Sequence, residues 1–210
     1  GSRQGKMCVE AAICCALGLP HSDKPNCVDP VVRTFKINLN DSPWSSDKAR
    51  ADGLRDLGIA QIGSLDAIDG AKFARDVLNA VHTFVFDKIV PPNHLLAAFR
   101  ESVKKDGDNR AIWDAYKNNV PKNAWQSHYP LYNSMYYLCS GFQCLQGSAY
   151  DSVVYYAVHS MKVAVANFGI FERDKAYRLC ASYALESLIR LNSPGAKWIS
   201  EGAVQKLRGE

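Results

Sequence analysis

A chain of 210 residues with 47% hydrophobic content can bury a sizeable core as one domain, so it needs neither disulfides nor a metal to hold it together. Its 25 Lys+Arg against 21 Asp+Glu leave a net charge of +4, too mild and dispersed for a dedicated duplex-nucleic-acid binder, although it suits a small anion. No apolar run reaches the roughly 18 residues of a membrane span; the nearest, Val153 to Phe168, is broken by His159 and Lys162.

Gly1-Ser2 reads as a cloning scar. Beyond it the pattern predicts helices throughout. The first runs from about Lys6 to Leu17, with Gly18 as its C-terminal cap. Asp29-Pro30 supplies an N-cap and N1 proline to a second, through about Leu39. Asn40-Asp41-Ser42-Pro43 is turn chemistry, and Ser46 caps a third helix carrying Ala49, Leu54, Leu57 and Ile62. Gly53, Gly58 and Gly63 weaken that third helix by about 1 kcal/mol each against alanine. A fourth opens at Asp66 or Asp69 and reaches about Val90, with Phe73, Val77, Ala80, Val81, Phe84 and Val85 at helical spacing.

Pro91-Pro92 ends it. Asn93 is placed to cap the next helix, to about Lys105, and another spans about Asn109–Asn119. Pro121–Pro130 reads as a loop and a candidate break between lobes. Helices at about Leu131–Leu145, Tyr150–Phe168 and Arg173–Leu191 follow, then a short terminal one. The expected fold is all-α: a single-domain bundle of about eight helices.

Seven cysteines is an odd number, and Cys14, Cys139, Cys144 and Cys180 sit in apolar helical patterns, as reduced core thiols do. The expected setting is reducing and cytoplasmic.

Chemistry concentrates near the start. Gly5 and Lys6 fall at a helix N-terminus, where free amides and an ammonium favour an anion, although the P-loop pattern is absent. Cys8 lies in the first turn, where the dipole and Lys6 favour the thiolate. A nucleophilic Cys8 needs a histidine base, for which His21, His82, His94, His128 and His159 are candidates. Glu10, two residues on, points off another side of the helix. The loop His21–Cys27, stiffened by Pro20 and Pro25 and carrying Asp23 and Asn26, is rich in hydrogen-bonding groups. Cys8, Cys14 or Cys15, His21 and Cys27 offer zinc donors at irregular spacing with no C-x-x-C, and no metal site is assigned. The plainer readings are a solvated lysine, a core thiol and a connector loop.

Two motifs, Gly5-Lys6-x-Cys8-x-Glu10 and His21-x-Asp23-x-Pro25-x-Cys27-Val28, precede a third, Asn40-Asp41-x-x-Trp44-Ser45-Ser46. Together they resemble a set of uncharacterised bacterial and phage-borne proteins. The resemblance covers about residues 4–65 and Pro194-Gly195-x-x-Trp198. It implies a microbial or phage source and carries over no activity.

The middle of the chain is aromatic: Trp113, Tyr116, Trp125, His128, Tyr129, Tyr132, Tyr136 and Tyr137, then Tyr150, Tyr155 and Tyr156, with Arg110, Lys117 and Lys122 among them. Rings beside cations can stack a base and hold its phosphate; they also pack helices well. The leading expectation is a non-catalytic binding protein for a small anionic ligand such as a nucleotide. Its binding residues are expected to be Gly5, Lys6, Glu10, Asp23, Trp125, His128 and Tyr129, with no cofactor. In a phage, sequestration of a host signalling nucleotide fits. The alternatives are a hydrolase or transferase using Cys8 and His21, and a structural or interaction module. No membrane or duplex partner is expected, and apolar helix faces allow a homo-oligomer.

Overall fold

The computed structural model describes residues 9–22, 24–92, 94–104, 114, 117–119 and 121–209. Among these no strand occurs, and the fold is all-α.

Local chemistry sets most helix ends. The first helix, α1 (Val9–Ala16), stops at Gly18, whose φ of 67° is the left-handed value a side chain resists. In α2 (Pro30–Asn40) the Asp29 carboxylate accepts from the Val31 and Val32 amides at 2.8 and 3.2 Å. In α3 (Asp47–Ala60) the Ser46 hydroxyl accepts from the Ala49 amide. Asp69, not Asp66, caps α4 (Gly70–Phe84) by accepting from the Lys72 amide. The fourth helix does not continue regularly to Val90. It widens into a π turn over Val85–Ile89, closed by the Val90 amide on the Val85 carbonyl.

A 3₁₀ turn, Leu95–Phe99, and α5 (Arg100–Lys104) follow. Asn93 lies outside the described residues, as does most of the helix expected at 109–119; His94 caps the 3₁₀ turn by accepting from the Leu96 amide. The expected loop at 121–130 is a correction. A 3₁₀ turn at Lys122–Ala124 leads directly into α6 (Trp125–Gln146), which runs through Pro130. A proline near a helix start deletes one backbone donor, and here the long buried face after it carries the helix past that loss. The chain continues through α7 (Tyr150–Ala164), α8 (Ile170–Arg190), a 3₁₀ turn at Pro194–Trp198 and α9 (Ala203–Arg208).

Packing follows the apolar stripes. Phe73, Ala74, Val77, Leu78 and Val81 make α4 apolar along one broad face, and it packs against α2, α6, α7 and α8. α6 and α7 form a hairpin, and α3 and α9 both lie on α8. The buried apolar residues from Val28 to Leu207 form one contiguous cluster.

Two glycines mark close approaches. A Cβ on Gly53 would lie 2.6 Å from the Trp44 ring, whose indole N–H is fixed on the Leu39 carbonyl at 2.9 Å. A Cβ on Gly195 would lie 2.2 Å from the Ile59 carbonyl oxygen. There the Gly195 amide donates to Ile62 at 2.9 Å and the Ser193 hydroxyl to Ala60 at 2.5 Å, capping the end of α3 from 133 residues away.

Candidate functional site

Of the N-terminal candidates, Gly5, Lys6, Cys8 and Asp23 lie outside the described residues. Glu10 is 1% exposed. Its carboxylate pairs with the Lys36 ammonium at 2.7 Å and accepts from the Gln61 amide at 2.8 Å. Lys36 and Gln61 are themselves fully buried, so this network pins α1 to α2 and to the end of α3. Glu10 is therefore held inside by two partners and is not presented at the surface. His21 is half-buried in the loop after α1. Cys14 is buried, Cys15 exposed and Cys27 half-buried. Among the described residues no group of three or more His, Cys, Asp or Glu could hold a metal ion.

The aromatic middle is divided between interior and surface. The side chain of Trp125 lies outside the described residues. His128 Nδ1 is 2.9 Å from His94 Nε2. Because His94 Nδ1 accepts from the Leu96 amide, its proton sits on Nε2 and is donated to His128. Burial, then the neighbouring His128, lowers the His94 pKa. Tyr129 is half exposed, with the Tyr132 ring 6.2 Å away. Further along the α6–α7 hairpin, Tyr136, Tyr137, Tyr155, Tyr156 and His159 form a ring cluster, with His159 stacked on Tyr155 at 3.9 Å. The structure does not bring Glu10 and this cluster into one site: no contact between them is recorded among the described residues.

A different constellation stands out. A cleft of about 300 Å³ is lined by Asp52, Arg55, Asp56, Arg178, Lys206 and Leu207. Three elements supply it. On α3, Asp52, Arg55 and Asp56 share one face through i, i+3, i+4 spacing. Arg178 comes from α8, and Lys206 and Leu207 from α9.

Each wall is fixed. The buried Asp174, one turn before Arg178, accepts from the Ser45 amide at 2.9 Å and from the Ser45 hydroxyl. The Tyr177 ring lies 5.2 Å from that of Trp44. Gly53 lets the α3 backbone approach this layer: its missing Cβ would meet Trp44 and, at 3.3 Å, Arg178 Cγ. α9 is anchored by buried Ala203 and Leu207, and by Arg208 donating to Glu186 at 2.6 Å.

The cleft sets three cations, Arg55, Arg178 and Lys206, beside two carboxylates, Asp52 and Asp56. Arg55, Arg178 and Lys206 form no ion pair among the described residues. Arg178 Nε is buried without a hydrogen-bond acceptor among the described residues, and so are Arg173 Nε and the Tyr177 hydroxyl on the same helix. Buried donors left without acceptors are uncommon and call for an account. Asp52 is engaged by Lys48 at 2.5 Å; that ammonium, then Arg178 and Lys206, hold its carboxyl below the usual carboxylate range. The cleft can therefore hold a compact anion by charge-assisted hydrogen bonds.

None of these cleft residues was singled out from sequence. The Asp52–Arg55–Asp56 spacing was visible, yet a charged face on a helix is ordinarily just solvated, and nothing in the chain signals that Arg178 and Lys206 fold against it. No family model matches the chain, and no curated protein and no solved structure matches it.

Proposed function

We propose that the protein is a non-catalytic binding protein for a small anionic ligand, and that the ligand sits in the cleft between α3, α8 and α9. One observation carries the reading: Arg55, Arg178 and Lys206 converge on a concave site without ion-pair partners among the described residues. Three cations stand against two carboxylates, of which Asp52 is already paired with Lys48, so the cleft keeps positive charge that an anion can answer. Arg178 supplies the planar fork that matches phosphoryl or carboxylate oxygens, and Lys206 a movable point charge.

The test is a thermal-shift and calorimetric titration with inorganic phosphate, citrate and AMP. A ligand present at 100 times its Kd stabilises the folded chain by about 2.7 kcal/mol. At least one of the three is expected to stabilise the wild type, with affinity falling as ionic strength rises. Arg178→Gln is expected to lose that response. Absence of any shift with all three at tens of millimolar would overturn the proposal.

A further inference from the structure

The cleft also contains a group that a simple anion site has no use for. Asp52 is engaged by Lys48, but Asp56, half-buried on the same face of α3, makes no hydrogen bond or ion pair among the described residues. An ionised carboxylate can only accept hydrogen bonds. Beside a bound anion it repels the guest, unless the guest brings a donor of its own to face it. The ligand that satisfies both halves of the cleft is anionic at one end and carries hydroxyl donors at the other.

The remaining lining narrows the class. Of the described residues around the cleft, Leu207 alone is apolar and none is aromatic, so a nucleobase would find no ring to stack on. The aromatic cluster of α6 and α7 belongs to other elements. At about 300 Å³ the space is at the small end of ligand sites, suited to one sugar ring and its phosphate.

Resting on the anion-binding reading of this same cleft, we infer that the ligand is a phosphorylated sugar or polyol. Its phosphoryl oxygens are held by Arg55, Arg178 and Lys206, and a hydroxyl donates to Asp56.

Calorimetry with inorganic phosphate, ribose 5-phosphate and AMP tests this, using the wild type, Asp56→Ala and Arg178→Gln, each checked for its helical circular dichroism. The wild type is expected to bind ribose 5-phosphate at least tenfold tighter than inorganic phosphate, and AMP no tighter than ribose 5-phosphate. Asp56→Ala should lose the preference for the sugar while binding inorganic phosphate at least as well as the wild type. Ribose 5-phosphate binding no tighter than phosphate, AMP binding tenfold tighter than ribose 5-phosphate, or an unchanged preference in Asp56→Ala each overturns the sugar inference. If phosphate still binds and Arg178→Gln abolishes that binding, the anion reading survives such an outcome. If none of the three ligands binds the wild type, the sugar inference fails, and if citrate does not bind either, the anion reading fails with it.

Discussion

Two places in this molecule set basic side chains beside carboxylates, and they have opposite fates. At the junction of α1, α2 and α3, Lys36 is fully buried against Glu10, and Gln61 completes the arrangement. At the cleft of α3, α8 and α9, Arg55, Arg178 and Lys206 line an open hollow without ion-pair partners among the described residues, and Asp56 makes no hydrogen bond or ion pair among them. The same residue types thus act as internal fastening in one place and as an open receptor surface in the other. What separates them is whether each charge is already answered by a neighbour in the fold. Removing a partner from the first should destabilise the fold markedly; removing a charge from the second should change what the cleft binds and leave stability nearly intact.

The sharpest way to break the comparison is Lys36→Met. It leaves the Glu10 carboxylate buried without its counter-ion and should destabilise by about 3–5 kcal/mol in a chemical denaturation series. A cost below 1 kcal/mol would mean that Glu10 and Lys36 are not the fastening described.

A buried imidazole extends the same logic to pH. His82 is fully buried, bonded through Nε2 to the Arg100 carbonyl, and burial lowers its pKa to about 4. Between 6.5 and 4 the unfolded chain therefore holds a proton that the folded chain refuses. Stability must fall as pH drops through that window, by roughly 3 kcal/mol in total. His94 and His159, both lowered chiefly by burial, push in the same direction. Denaturation midpoints from pH 7 to 4 should show the slope, and His82→Leu should flatten it.

Gly53→Ala probes the layer that sets the cleft wall. Its methyl would meet a Trp44 ring that cannot swing away while its N–H is held by Leu39, a cost of about 1–3 kcal/mol on melting. The smallest effect is the most telling. Arg55→Gln and Lys206→Gln should each leave stability within about 0.5 kcal/mol of the wild type while weakening anion affinity. A large loss of stability from either would place these residues with Lys36 rather than with a binding surface.

Much of the fold was legible because its punctuation is local. Asp29-Pro30, Ser46 and Gly18 each act on backbone groups two to four residues away, so their chemistry can be read along the chain. The π turn at 85–89 and the helix through Pro130 were not legible, since packing overrides local preference at both places. The site was less legible still. Glu10 was noticed as the last residue of the Gly5-Lys6-x-Cys8-x-Glu10 motif, but its fate depends on Lys36 and Gln61, 26 and 51 residues away. Arg178 looked like any charge on a long helix. That it has no ion-pair partner among the described residues is a property of the folded surface, which no spacing rule encodes.

The Ser193 and Gly195 bonds to Ala60 and Ile62 carry a consequence for biosynthesis. On a ribosome adding about 5–20 residues per second, the carbonyls at the end of α3 must wait on the order of ten seconds for the segment that caps them. Until that segment emerges, the third helix has a ragged edge exposed to chaperones and proteases, and a stalled or truncated nascent chain would keep it.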